Sequence, residues 1–170
     1  AITRNPNTVN RICGRIYEMG LERVFDRCSE PKETNRQIGP LFKRWLRKNS
    51  LGIPPVGINE FASTNKNAIL DASDAEMKSW CSRNLNYTRD KGLDFVARFN
   101  GKYVIGEAKF LTDFGGHQNA QFADAISTIK TPNVNAIKIA ILDGVLYIRG
   151  RNKMYRDITE TYSDYNILSA

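Results

Sequence analysis

The sequence predicts a single α/β domain over residues 1–170, in which helices flank a sheet. Two observations lead to this fold class. Apolar residues recur at helical spacing in several stretches, and between them lie short runs rich in Val, Ile, Phe and Tyr, which favour strands. A chain of 170 residues can build one domain with a full core but is short for two.

The N-terminal part, residues 1–50, is predicted to be helical. Apolar residues from Thr8 to Cys28 follow the spacing of one helix face. A polar break is expected over Pro31–Gly39, followed by a second short helix over Pro40–Lys48. Lys43 and Arg47 lie on the polar face of that second helix. This face is either solvated or contacts DNA phosphates without reading sequence.

The next segment joins a loop to a capped helix. Ser50–Asn67 contains two prolines and two glycines and reads as loop, with room for a strand between Pro55 and Phe61. Ser73 and Glu76 have the spacing of a capping box, which predicts a helix over Ser73–Arg83. Glu76 has two possible roles, as the partner in this cap or as an accessory acid near a metal site.

A β-hairpin is predicted around Asn100-Gly101, between strands at Leu93–Phe99 and Lys102–Phe110. Asn-Gly between such runs is the strongest short-range hairpin signal. With these two residues in the turn, Phe99 pairs with Lys102, and Asp94 lies opposite Glu107. This should be a non-hydrogen-bonded pair, in which side chains lie closest.

Lys109 is two residues beyond Glu107, so its side chain shares the face of Asp94 and Glu107. The opposite face should be buried and consists of Phe95, Ala97, Phe99, Val104, Ala108 and Phe110. Two carboxylates that face each other repel. A proton, the Lys109 ammonium or a bound cation would relieve the repulsion. Hard divalent cations prefer carboxylate oxygens.

The rest of the chain is predicted to form a helix over His117–Lys130 and two strands, Ala136–Leu142 and Val145–Arg149. Asp143-Gly144 between these strands indicates a second hairpin. The tail, residues 153–170, is polar and rich in tyrosine, and its pattern assigns no element.

Composition narrows the class of protein. The net charge of +7 and the pI of about 9.4 favour a polyanionic partner. Cys13, Cys28 and Cys81 have neither zinc-ligand nor disulfide spacing, which favours reduced thiols in the cytoplasm. No apolar stretch is long enough to predict a membrane span. The sequence contains no Gly-rich phosphate-binding loop and therefore gives no indication of a nucleotide cofactor. Because the chain begins with Ala1 rather than methionine, we expect a processed protein or a piece of a longer one.

Two short segments resemble the PD-(D/E)XK nuclease motif. They are Gly92-Leu93-Asp94 and Gly106-Glu107-Ala108-Lys109, with Leu93 in place of the proline. The resemblance covers residues 73–149, the expected catalytic core. It implies a restriction-endonuclease-like fold, a three-layer α/β/α core with a central mixed sheet.

Within this superfamily the chain looks most like a type II restriction endonuclease, which implies double-stranded DNA as substrate. The resemblance implies that Asp94, Glu107 and the backbone carbonyl of Ala108 bind one or two Mg²⁺ ions. Lys109 would orient the attacking water or help to deprotonate it. The products would carry a 5′-phosphate and a 3′-hydroxyl. A palindromic target would imply a homodimer.

The expected DNA contacts come from polar residues at the start of the helix after the motif, since Asn and Gln suit adenine edges. These are His117, Gln118, Asn119 and Gln121. Three alternatives stay open at this point: a structure-specific DNA nuclease such as a resolvase or repair enzyme, a non-catalytic DNA-binding module on the same fold, and a small-molecule enzyme.

Overall fold

A computed structural model of the chain describes residues 6–29, 34–49, 51–150 and 152–169. The chain divides into two compact units, residues 1–34 and 35–170. The first unit contains α1 (Pro6–Met19) and α2 (Leu21–Ser29). Gly20 separates them with a φ of +75°, a conformation that glycine adopts readily. The single helix predicted over Thr8–Cys28 is therefore two helices.

The second unit contains a six-stranded mixed sheet with helices on both faces. Its helices and strands, in chain order, are α3 (Thr34–Arg47), β1 (Pro55–Val56), α4 (Ile58–Ser63), β2 (Ala68–Leu70), α5 (Asp74–Leu85), β3 (Phe95–Phe99), β4 (Lys102–Leu111), α6 (Gly116–Ile129), β5 (Ile137–Gly144), α7 (Lys153–Arg156) and β6 (Ile167–Leu168). The strands lie in the order β1-β2-β3-β4-β5-β6. Strands β2, β3 and β4 pair antiparallel, and the other neighbours pair parallel.

The two faces of the sheet are covered by different helices. On one face, α4 and α5 pack on β2–β4, and α6 packs on β4 and β5. On the other face, Phe42 and Leu46 of α3 pack against β3–β5. The predicted three-layer α/β/α fold with a mixed sheet is therefore confirmed. In the part of the chain that the structure describes, no helix is long and apolar enough to cross a membrane.

The hairpin predicted at Asn100-Gly101 forms as expected. Phe99 pairs with Lys102, and the register continues to Phe95 opposite Gly106. Asn100 and Gly101 have φ values of +50° and +74°, as a type I′ turn requires at both central positions. The pairing ends at Phe95 and Gly106; extension of the register by one residue would place Asp94, which directly precedes β3, across from Glu107.

The hairpin predicted at Asp143-Gly144 is wrong. Instead β5 continues through Gly144, which pairs in parallel with Leu111. A Cβ atom on Gly144 would lie 2.0 Å from the carbonyl oxygen of Leu111. Glycine is thus required here for close approach of two strands, not for a turn. The predicted strand Val145–Arg149 begins as a 3₁₀ turn, Val145–Tyr147.

Three other local predictions change. Thr34–Gly39, expected as a break, is helical, and Pro40 lies inside α3; residues 31–33 of the predicted break lie outside the described residues. The loop over 50–67 contains the short strand β1, as considered, and also α4. The unassigned tail forms α7, a π-helical turn at Asp157–Thr161, and the edge strand β6.

Candidate active site

The three residues of the predicted catalytic set lie together at the ends of β3 and β4. The Lys109 ammonium donates to Oδ2 of Asp94 at 2.7 Å and lies 2.7 Å from Oε2 of Glu107. Because one ammonium bridges both carboxylates, all three side chains share one face and one location. A register in which Asp94 and Glu107 pointed to opposite faces would have separated them.

Backbone hydrogen bonds fix Asp94 against β4. Its N–H donates to the carbonyl of Gly106 at 3.1 Å. Its Oδ2 accepts from the N–H of Ala108 at 3.0 Å. Oδ1 has no hydrogen bond among the described residues. One oxygen of this carboxylate is therefore held by the hairpin and the other remains available to a ligand.

Glu107 is almost completely buried, with 1% of its surface exposed. It lies on the face of the sheet where two hydrophobic clusters meet: Ile105 belongs to the cluster under α5, and Leu111 to the cluster under α6. The expected core face was the opposite one, but the larger clusters lie on the same face as the site. Burial raises the pKa of the Glu107 carboxyl, Lys109 opposes that increase, and the pKa remains above its usual value.

Lys109 is held in its charged form. Burial alone would lower the pKa of its ammonium, but the carboxylates of Asp94 and Glu107 outweigh that effect. The pKa of Lys109 therefore lies above its usual value. In this arrangement the side chain acts as a hydrogen-bond donor and a counter-charge.

The site fits a divalent cation. Both carboxylate oxygens of Glu107 are buried without a hydrogen-bond partner in the described residues, although Oε2 has the ion pair with Lys109. Buried polar atoms without partners are rare and point to a missing ligand. No group of three or more His, Cys, Asp and Glu side chains that could together hold a metal ion occurs in the described part of the chain. Asp94 and Glu107 thus form a two-carboxylate site, which suits Mg²⁺ because this ion keeps several waters.

Sequence reasoning missed a second cationic cluster beside Glu107. Nζ of Lys91 lies 3.5 Å from Oε2 of Glu107 and forms an ion pair with Asp124 of α6. Arg89 donates to Oδ1 of Asp124 at 2.9 Å. Burial lowers the pKa of the Lys91 ammonium, which Glu107 only partly offsets. The only sequence signal was the position of Lys91 just before Gly92-Leu93-Asp94.

The two basic residues predicted to contact phosphate are paired with acids. The Lys43 ammonium donates to Oδ1 of Asp74 at 2.5 Å, and the Arg47 guanidinium binds both carboxylate oxygens of Asp71. Lys43 and Arg47 also line a shallow hollow together with Asp94. They therefore lie beside the catalytic set, but their charges are largely balanced within the chain.

The predicted base-reading residues of α6 have different surroundings. Gln118 is buried, donates from Nε2 to Oγ1 of Thr112, and has no partner for Oε1 in the described residues. His117 is exposed and Gln121 is partly exposed, and the two side chains are hydrogen-bonded to each other at 3.0 Å. Asn119 is exposed and donates to the carbonyl of Phe114. The surface of α6 thus presents three of the four side chains to solvent.

Glu76 lies in the capping box that the sequence predicted. Its carboxylate accepts hydrogen bonds from the N–H and the hydroxyl of Ser73, and Ser73 caps the Glu76 N–H in return. No contact between Glu76 and Asp94 or Glu107 occurs among the described residues. The cap accounts for the position of the Glu76 carboxylate.

Comparison with protein-family models gives a match over the whole chain, residues 1–170, to the Tsp45I type II restriction enzyme family. Neither the comparison with curated proteins nor that with solved structures gives a match. The family match agrees with the mixed sheet and with the Asp–Glu–Lys set on its hairpin. The chain therefore belongs to the Tsp45I type II restriction enzyme family, which makes it a restriction-like deoxyribonuclease with DNA as its partner.

Proposed function

We propose that this protein is a Mg²⁺-dependent endonuclease that cuts double-stranded DNA at a specific sequence. The observation that carries the proposal is the convergence of Asp94, Glu107 and Lys109, with Oε1 of buried Glu107 lacking a partner among the described residues. A carboxylate pair that repels phosphate has no purpose in a protein that only binds DNA. With a cation between them, the same carboxylates attract the scissile phosphate.

Asp94 and Glu107 would hold the metal from one side, with the backbone carbonyl of Ala108 as a further ligand. When bound, Mg²⁺ lowers the pKa of a coordinated water and neutralises charge on the phosphate. Lys109, already oriented by the two carboxylates, would hold the attacking water in line with the phosphorus. Hydrolysis would leave a 5′-phosphate and a 3′-hydroxyl.

Positioning on DNA would come from the rim of the site. Lys43 and Arg47 line the hollow next to Asp94, so exchange of their acidic partners for phosphates would bring the backbone to the metal. His117 and Asn119 are exposed on α6 and Gln121 is partly exposed, so base or backbone contacts are open to them. Gln118 would need to leave its buried position to join them. A palindromic target would be read by a homodimer.

The test is digestion of a long duplex DNA of known sequence, with Mg²⁺ or with EDTA. We expect discrete fragments with Mg²⁺ and none with EDTA, and sequencing of the ends then gives the target. Asp94→Asn should abolish cutting. The control Asp90→Asn removes an exposed carboxylate paired with Lys78 and should leave cutting unchanged.

A four-way junction and a branched duplex belong in the same assay. Cutting confined to these substrates would replace the proposed specificity with that of a structure-specific nuclease. Binding of duplex DNA without cutting of any substrate would contradict the proposed catalytic role of the Asp–Glu–Lys set.

A further inference from the structure

Lys91 is a second cation at the buried carboxylate of Glu107. Its Nζ lies 3.5 Å from Oε2 of Glu107, and its side chain is 32% exposed. Lys109 already lies 2.7 Å from the same oxygen. A divalent cation that binds Glu107 must therefore be accommodated beside two ammonium groups. Any contact that keeps the Lys91 ammonium from moving closer to Glu107 should therefore favour binding of the metal.

Asp124 holds Lys91 from the other side. Its Oδ2 forms the ion pair with Lys91, closer than the contact between Lys91 and Glu107. Its Oδ1 accepts from Arg89 at 2.9 Å, and Arg89 also donates to the Asp124 carbonyl at 3.1 Å and to Oγ1 of Thr128. Each carboxylate oxygen of Asp124 thus contacts its own cation. Arg89 holds the carboxylate in place on α6 independently of Lys91.

We propose that Asp124 is a positioning residue that restrains Lys91 and so keeps the carboxylate of Glu107 available to a divalent metal ion. The inference rests on the metal site of the proposed function. It adds a residue of α6, outside the Asp–Glu–Lys set, that acts on the metal only through Lys91.

The charge balance of the cluster supports this role. Three carboxylates and three cations form a row in which opposite charges alternate and each is in contact with the next. In order, they are Asp94, Lys109, Glu107, Lys91, Asp124 and Arg89. Among the described residues, loss of the charge on Asp124 would leave Glu107 as the only acid in contact with Lys91. The flexible lysine stem would let the ammonium close on Glu107. There it would compete with the metal for the same oxygens.

The experiment measures Mn²⁺ affinity in the absence of DNA, by electron paramagnetic resonance of the free ion. Asp124→Asn should weaken binding about tenfold or more, the range usual for residues that orient metal ligands. Lys91→Met should bind Mn²⁺ at least as tightly as wild type, because it removes the competing ammonium. The double variant should regain the affinity of Lys91→Met to within about threefold.

Two further variants separate the possible results. Asp94→Asn should abolish Mn²⁺ binding; if wild type and this variant bind alike, the proposed metal site itself fails. Lys78→Met is the matched control, because it removes a lysine whose side chain is 33% exposed, much like that of Lys91, and which pairs with Asp90 in the same region. It should leave the affinity unchanged.

If Asp94→Asn loses Mn²⁺ but Asp124→Asn binds like wild type, the role of Asp124 is overturned and the metal site stands. The role is also overturned if the double variant stays as weak as Asp124→Asn, because Asp124 then acts through packing rather than through Lys91. Lys91→Met leaves the Arg89–Asp124 contact intact. Its affinity therefore tests the inference even where Asp124→Asn folds poorly, and weaker binding by Lys91→Met would contradict it.

Discussion

Replacement of Gly106 by alanine would insert a methyl group between β4 and β5, one residue before Glu107. Gly106 pairs with Ile139, and a Cβ atom on it would lie 2.5 Å from the Ile139 carbonyl oxygen and 2.6 Å from its Cγ1. Ordinary contact between such atoms needs roughly 1 Å more. Neither backbone atoms nor a buried branched side chain can yield that distance without moving a strand.

The expected magnitudes follow from that displacement. Overpacking of this kind costs about 2 kcal/mol of unfolding free energy, or roughly 4–8 °C in Tm for a chain of this size. Because Glu107 follows directly, its carboxylate would shift by a similar distance. A misplacement of about 1 Å at a reacting centre costs on the order of a hundredfold in rate.

Single-turnover cleavage and thermal unfolding of Gly106→Ala measure the two effects separately. Gly14→Ala is the control, since Gly14 lies within α1 with no atom within 4 Å of an added Cβ. Gly14→Ala should lower neither the Tm nor the cleavage rate. A Gly106→Ala enzyme with the Tm and the cleavage rate of wild type would show that β4 and β5 accommodate the added methyl group without displacement. A lower Tm with an unchanged rate would show that Glu107 tolerates movement of the strand.

Other predictions concern three buried or capped positions. Arg98 is 2% exposed, donates to the Phe61 carbonyl at 2.8 Å, and lies over the Phe61 ring. Arg98→Met should lower the unfolding free energy by about 2–4 kcal/mol in urea titrations, because buried carbonyls lose their donor; no change would contradict this. Burial raises the pKa of the Cys81 thiol from 9.0 to about 12. Below pH 9 the thiol is neutral in both the folded and the unfolded protein. Between pH 9 and about 12, only the unfolded chain loses the thiol proton. Wild type should therefore lose about 1.4 kcal/mol of stability per pH unit relative to Cys81→Ala, and parallel pH profiles would contradict it. Glu76→Ala should cost about 1 kcal/mol through the lost cap with Ser73, yet keep the wild-type cleavage rate; a hundredfold slower rate would indicate an accessory acid.

The hairpin that carries Asp94 and Glu107 could be predicted because its determinants are local. Asn100-Gly101 selects a two-residue turn, and the turn alone then fixes which residue faces Asp94. The capping box at Ser73 is equally local, since both partners lie within one turn of α5. The three-layer architecture came from the resemblance of the motif to the nuclease superfamily rather than from any single pattern.

The failures share non-local causes. Gly144 looks like a turn residue in sequence, but its requirement comes from Leu111, more than thirty residues earlier. Strands β2 and β6 are only three and two residues long and depend on their neighbours in the sheet. The hairpin is buried on both faces, so alternation could not tell which face carries the larger core.

The charged cluster beyond the motif was also hidden from sequence. Asp124 lies on α6 among residues that pack against the sheet, and nothing in its spacing marks it as the partner of Lys91 or Arg89. Gln118 was expected at the DNA surface, because it lies at the start of the helix after the motif and Gln suits adenine edges. Its burial follows from the rotation of α6 on β4 and β5, which only packing determines.

If Asp94, Glu107 and Lys109 form one catalytic centre, Lys109→Ala should lose cleavage without losing DNA binding. The control is Lys102→Ala, which removes an exposed lysine from the start of the same strand. Duplex binding is measured in Ca²⁺ and single-turnover cleavage in Mg²⁺. We predict that Lys109→Ala binds DNA like wild type but cleaves at least a hundredfold more slowly, while Lys102→Ala does both like wild type. Cleavage by Lys109→Ala at the wild-type rate would contradict the account.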